Sequence, residues 1–260
     1  MKQRVITGII FGIVVLALLL FHDIGRLILI IAIPLLSVIE YSQMTKFKIL
    51  DWFVLIALSA ITNFVVTNFP EYTFYFLITS VLTNLFLLVN LLSRSTFVKH
   101  QMFKSVIANF YITSPFILAY HFQLHSQFQI LLISIMILIW VSDSSAYFVG
   151  SQIGKRKLFP EISPKKTWEG FYGAGMCVFI FAYVIFSIGN YKQLSFWIFF
   201  ALIIWILGAI GDLIASHVKR LHSIKDSGTI LPGHGGFYDR FDAFIFVLPF
   251  VLFLHKYWLG

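Results

Sequence analysis

Nine stretches of this chain are long and apolar enough to be read as membrane-spanning helices: 5–21, 24–43, 52–69, 72–92, 106–122, 128–149, 171–188, 196–214 and 241–257. A bilayer offers its interior no water, so a spanning segment must satisfy its own backbone, and about 20 mostly apolar residues of helix do so. The first stretch follows Met1-Lys2-Gln3-Arg4 and has the outline of a signal peptide. No small-residue cleavage site follows it and the next stretch begins almost at once, so it reads as a retained helix. Apolar residues make up 59% of the chain and charged residues 12%. A soluble domain carries about a quarter charged residues, and disorder needs low hydrophobicity with high charge, so both classes are excluded. The single cysteine, Cys177, lies inside an apolar run. It excludes an intramolecular disulfide and a cysteine-rich zinc or iron–sulfur centre.

The basic residues orient these spans. With the N-terminus in the cytoplasm and the spans alternating, 16 of the 19 Lys and Arg fall on the cytoplasmic side, leaving Arg26, Lys192 and Lys256 opposite. That positive-inside bias supports an all-α, polytopic integral membrane protein of about nine transmembrane helices. Its N-terminus is cytoplasmic and its C-terminus lies on the opposite side. The net charge of +8 follows from this placement and asks for no nucleic-acid partner.

The acids divide the chain. Residues 1–122 read as membrane scaffold: Asp23, Asp51 and Glu71 fall in links, where solvation is expected. Glu40 sits near the cytoplasmic end of the second span and reads as a snorkelling side chain. Residues 123–260 read as a catalytic region of the same continuous membrane domain, since seven of the eleven acids lie between Asp143 and Asp242. Two long cytoplasmic loops, about 150–170 and 219–240, interrupt its spans.

In the first loop, Ser163-Pro164-Lys165-Lys166 suggests a helix N-cap, a first helical proline and two lysines in the first turn. Lysines there oppose the helix dipole and suit a bound phosphate. A basic loop obeying the topology rule explains the same residues equally well. In the second region Asp212, Ser216 and Lys219 stand at i, i+4 and i+7 and share a helix face, as do Asp239 and Asp242 at i and i+3. Asp143 and Asp212 each lie seven residues before the cytoplasmic boundary, about 10 Å inside it. Ionisable groups in a span are costly and mark function by default. Clustered carboxylates need protons or cations, and oxygen ligands beside phosphate favour magnesium. Gly235 and Gly236 permit tight turns whose amides cradle an anion, and His234 between glycines is a candidate phosphate contact.

The stretch from Ser216 to Asp242 resembles the signature of phosphatidate cytidylyltransferases, the CDP-diacylglycerol synthases. Their pattern is met by Ser216, Val218, Lys219, Arg220, Lys225, Asp226, Gly228, Leu231, Pro232, His234, Gly235, Gly236, Phe237, Asp239, Arg240, Phe241 and Asp242. The segments Asp143-Ser-Ser-Ala-Tyr147 and Ser163-Pro-Lys-Lys-Thr-Trp-Glu-Gly170 are similar to further family motifs. The resemblance implies transfer of CMP from CTP to phosphatidic acid, giving CDP-diacylglycerol and pyrophosphate for phospholipid synthesis. It implies Mg2+, with room for a second cation, held by Asp212 and Asp239, with Asp143 and Asp242 as further candidate ligands. Lys219, Arg220, Lys225, Asp226, His234 and Arg240 would then serve catalysis, with Ser216 orienting a ligand. Ser163, Lys165, Lys166, Gly235 and Gly236 would bind substrate. A homodimer surrounded by membrane lipids follows from the same resemblance, in the plasma membrane if the source is bacterial.

Rival readings fit less well. A transporter should show internal repeats or helices broken at the midplane. A CDP-alcohol phosphotransferase should carry Asp-Gly-x-x-Ala-Arg and a membrane phosphatase Pro-Ser-Gly-His, and neither is present. A noncatalytic scaffold leaves the dense C-terminal signature unexplained.

Overall fold

A computed structural model of the chain describes residues 2–21, 23–94, 96, 103–122, 128–189, 191, 193–228 and 235–258. The helices are α1 (Lys2–Phe21), α2 (Asp23–Thr45), α3 (Ile49–Asn68), α4 (Thr73–Leu92), α5 (Lys104–Ile107), α6 (Ser114–Phe122), α7 (Phe128–Ile153), α8 (Trp168–Ile188), α9 (Leu194–Leu221) and α10 (Tyr238–Trp258). Among the described residues, seven helical stretches are long and apolar enough to cross a membrane. Large apolar side chains such as Ile13, Ile56, Phe64 and Ile180 remain exposed on the bundle's outside. An aqueous protein would bury them, whereas a bilayer solvates them, so the chain is a polytopic membrane protein.

α5 and α6 form one rod through a π-helical turn, Ala108–Thr113. Pro115 has no N–H to offer the carbonyl of Tyr111, and the turn before it widens. The stretch 106–122, expected as a span, is helical as a composite of α, π and α turns and is not one of the seven candidate spans. α10 is the most buried of the seven candidate spans and packs against α9, α2, α4, α6 and α7. Its core residues Phe241, Ile245, Phe246 and Leu248 are almost inaccessible. In its first turn Tyr238 and Phe241 are likewise buried, while Arg240 is exposed.

One end of the bundle gathers the polar connections. Lys104 donates to the carbonyl of Thr45 at the C-terminus of α2, where the helix dipole favours a cation. Asp51 accepts the Lys48 N–H at 2.7 Å and is buried. The expectation of a solvated Asp51 is corrected: it caps the start of α3, where an acid satisfies an orphan amide. Arg94, just past α4, pairs with Glu161 at 3.1 Å, beside the ends of α7 and α8. At the other end, Gln129 of α7 donates to Leu19 of α1 at 3.1 Å, and Thr67 of α3 meets His121 of α6 at 3.5 Å.

The helical architecture has one addition. Between α7 and α8 lies an antiparallel hairpin, β1 (Lys157–Phe159) and β2 (Ser163–Thr167), pairing Lys157 with Thr167 and Phe159 with Ser163. The helix expected to start at Ser163 does not start there. A proline suits an edge strand as well as a first helical turn, because both leave its missing N–H unneeded. α8 begins at Trp168 instead, with Thr167 as N-cap: its hydroxyl accepts the Gly170 N–H at 3.2 Å. Glu169, in the first turn, accepts the Lys155 N–H at 3.0 Å and anchors the approach to the hairpin.

Candidate active site

Strand geometry sends successive side chains to opposite faces, and this separates the two lysines of β2. Lys166 reaches inward to Asp212 of α9, at 2.6 Å, and Lys165 stays exposed. Burial alone would lower the Lys166 pKa, but the Asp212, Asp143 and Asp242 carboxylates outweigh it and hold the ammonium above the ordinary lysine range. Lys165, Lys166, Asp143, Asp212, Ser142 and Gly170 line one pocket of about 240 Å³ between the hairpin, α7, α8 and α9. The matched depth expected for Asp143 and Asp212 thus becomes a shared cavity. Ser163 stands at the start of β2, paired with Phe159, and is not among the residues lining this pocket.

The shared helix face of α9 is present. Ser216 donates to Asp212 at 3.2 Å, and Lys219 crosses to Asp239 of α10 at 2.5 Å with both side chains largely buried. The other oxygen of Asp239 accepts the Ser227 N–H at 2.8 Å and the Gly236 N–H at 3.0 Å. Asp239 therefore closes the neck of the α9–α10 loop. Gly235, in that neck, has φ +84, a left-handed conformation in which a Cβ would be strained, and its space is bounded by Asp239 and Asp226. Asp242, one turn into α10, is buried; its carboxylate accepts the Ala243 N–H at 2.7 Å and feels the charges of Asp212, Lys219 and Asp143.

Around this core, Arg220 is exposed and donates to the Ile224 carbonyl, just past the end of α9, at 2.9 Å. Lys225, Asp226 and Arg240 are exposed at the same end, and Arg240 lies near enough to act on Asp143 electrostatically. His234 falls outside the described residues.

The four candidate metal-binding acids do not converge on one point. Among the described residues no three His, Cys, Asp or Glu side chains are arranged to hold an ion together. Instead Asp212 and Asp239, on adjacent helices, each grip a lysine ammonium. That arrangement still fits magnesium. The donors are hard oxygens, and Mg2+ is commonly bound by one or two carboxylates plus substrate phosphates, to which the lysine ammonium groups can turn. A larger groove of about 610 Å³, between α2, α3 and α6, is lined by Ile30, Pro34, Leu55 and Phe116 and has no ionisable group suited to this chemistry.

Sequence reasoning missed Glu40. It does not snorkel: it is 1% exposed and accepts Ser227 Oγ at 2.6 Å, the Phe237 N–H at 2.8 Å and the Tyr238 N–H at 2.9 Å. A lone acid near the end of an apolar run looks the same either way; only the packing of α2 against α10 separates them.

Fold and paired charges together define a polytopic membrane protein with a polar site sunk into one end of its bundle. The chain belongs to the cytidylyltransferase family, whose model matches residues 2–258. It is 37% identical over 266 residues to a phosphatidate cytidylyltransferase of Bacillus subtilis (strain 168), covering 98% of this chain and 97% of the relative. It is 31% identical over 255 residues to phosphatidate cytidylyltransferases of Staphylococcus aureus (strain COL) and Staphylococcus saprophyticus, covering 96% of each chain. The resemblance read from Ser216–Asp242 thus extends over the whole chain.

Proposed function

We infer that this protein is a phosphatidate cytidylyltransferase, transferring CMP from CTP to phosphatidic acid in phospholipid synthesis. The observation that supports it most directly is the pairing of Asp212 with Lys166 and of Asp239 with Lys219 across α9 and α10, next to a tight glycine turn. A carboxylate that grips an ammonium marks a place for a cation, and an ammonium so placed can turn to a phosphate when one arrives.

The reaction joins two polyanions. An oxygen of the lipid phosphate attacks the α-phosphorus of CTP, a new P–O bond forms, and the bond to the β-phosphate breaks with its electron pair leaving on pyrophosphate. The attacking oxygen is already anionic near neutral pH, so no strong general base is required. Positioning and charge neutralisation supply the acceleration. Asp212 and Asp239 would hold Mg2+, supported by Asp143 and Asp242, and the ion would neutralise and align the phosphates. Lys166 and Lys165 flank the pocket as counter-charges for substrate phosphate, and Lys219 does so beside the loop. Ser216 orients Asp212. Lys225, Arg220 and Arg240 offer cationic contacts at the rim, with His234, Gly235 and Gly236 contributed by the loop and Ser163 by the hairpin.

The pocket lies between α7, α8, α9 and the hairpin, a placement that would let phosphatidic acid arrive laterally and CTP from the aqueous side. We place that side in the cytoplasm, with nine spans, because the basic loops cluster there. Residues 1–122 serve mainly as scaffold and 123–260 as catalytic region. A homodimer in the plasma membrane rests on the resemblance alone, and mass measurement of the detergent-solubilised protein tests it.

The decisive assay incubates purified protein in detergent with phosphatidic acid, Mg2+ and α-labelled CTP. Label should move to the organic phase with pyrophosphate release, and EDTA should stop both. A folded protein that transfers no label while a known cytidylyltransferase works in parallel would overturn the reading.

A further inference from the structure

We propose that Glu40, in the scaffold half of the chain, is a positioning residue for the reaction: it fixes the neck of the α9–α10 loop, Ser227 and residues 236–238, and through that neck the placement of Asp239. The inference rests on the functional reading above.

Glu40 lies within an apolar helix, α2, yet all three bonds it accepts come from the loop neck and the start of α10. Burying a carboxylate is costly unless hydrogen bonds compensate, so such a residue needs a return. The compensation here is two backbone amides and one hydroxyl at the N-terminus of α10, where the helix dipole favours an anion. No cationic side chain among the described residues bonds to it. Its position therefore depends on the loop, and the loop's on it.

The loop is held from two sides. Ser227 gives its hydroxyl to Glu40 and its backbone N–H to Asp239. Gly236 gives its N–H to Asp239, and the next two residues give theirs to Glu40. Both ends of the segment 227–238 are thus fastened to the same two carboxylates, and Asp239 is also the partner of Lys219. The glycines complete the fit: a Cβ on Gly228 would strike the Glu40 carboxylate, and one on Gly236 would strike both Ser227 Oγ and Glu40. A shift of Glu40 moves Ser227 and Gly236, and with them the amides that fix Asp239. Glu40 touches neither lysine nor the pocket, so its effect is through the loop.

The test uses full-length protein with Glu40→Gln, Ser227→Ala and the double variant, beside wild type. Glutamine has the same shape, but its amide nitrogen can only donate, so at least one of the three donors loses its acceptor. The measurements are kcat and KM for each substrate, the thermal midpoint in detergent, and the shift of that midpoint caused by CTP. Glu40→Gln should lower kcat/KM for CTP by about tenfold to a hundredfold. It should shrink the CTP-induced shift, beside a lowering of the unliganded midpoint by the orphaned buried donor. Ser227→Ala should do less, and the double variant should fall short of the product of the two, because the groups act through one contact. Glu40→Gln with wild-type kinetics and a wild-type CTP shift would overturn the proposal. So would a loss of activity matched by a lowered unliganded midpoint, with KM for CTP and the CTP shift intact in the folded fraction. Wild type that transfers no CMP would fail the functional reading instead, and the CTP-induced shift would still report on Glu40.

Discussion

Lys166 shows how a single side chain can be assigned work from its neighbours. It leaves a surface hairpin to meet Asp212, and the negative charges around it hold its pKa above the usual range. A raised lysine pKa means that its charge is fully present below the unfolded value, about 10.4, and is lost only as pH rises through the folded value. Across pH 6 to 9 it should therefore contribute no step to a pH–rate profile. Lys166→Met should reduce kcat/KM by about a hundredfold, the scale of one donor lost from a charge-stabilising site. Lys166→Arg should keep the charge and recover part of the activity, limited because a planar fork does not replace a compact ammonium. Both variants should keep the wild-type profile shape over pH 6–9. A new alkaline limb in Lys166→Arg, or wild-type rates in Lys166→Met, would remove Lys166 from the chemistry.

At the scale of elements, the site depends on how closely α9 and α10 approach. Gly211 precedes Asp212, and a Cβ there would stand 2.6 Å from that of Phe246 and 3.2 Å from the Ala243 Cα and the Asp242 carbonyl. Backbone cannot yield cheaply, so Gly211→Ala should push the helices apart. The expected cost is about 1–3 kcal/mol, with a lower thermal midpoint and lost activity as Asp212 moves away from α10. Gly208, one turn earlier, faces open space. Gly208→Ala should be neutral or stabilise by up to about 1 kcal/mol through helix propensity, with activity kept. Thermal unfolding of both in the same detergent checks the pair, and equal behaviour would contradict the packing. The spacing of Asp212, Ser216 and Lys219 was readable beforehand because helical period alone puts them on one face. The hairpin was not: strands of three and five residues show no period, and Ser-Pro fits a helix start and an edge strand alike. Glu40 was hidden for a different reason, since its partners lie 187 to 198 residues away and no local pattern announces them.

For the whole molecule, the decisive question is which end of the bundle faces the cytoplasm, because CTP reaches only that side. The hairpin, the start of α5, the end of α2 and the start of α10 gather at one end. The turn between α3 and α4 lies a full helix away: α3 has 20 residues, about 30 Å of rise. In that turn the Tyr72 ring contacts Phe69 and also Tyr75 of α4, as expected of an aromatic belt at a membrane surface. The orientation proposed from the basic loops puts the hairpin inside and this turn outside. Cys177 is the only cysteine, so Cys177→Ser gives a clean background for single reporters. Glu71→Cys is exposed beside the aromatic turn, and Glu161→Cys is exposed on the hairpin. The second breaks only the surface pair with Arg94, worth at most about 1 kcal/mol. In intact spheroplasts a membrane-impermeant maleimide should label Glu71→Cys at once and Glu161→Cys only after permeabilisation. The reverse pattern would turn the bundle over and leave Lys166, Asp212 and the loop beyond the reach of cytoplasmic CTP. Labelling of both from outside would break the alternation of spans on which the lateral entry of phosphatidic acid depends.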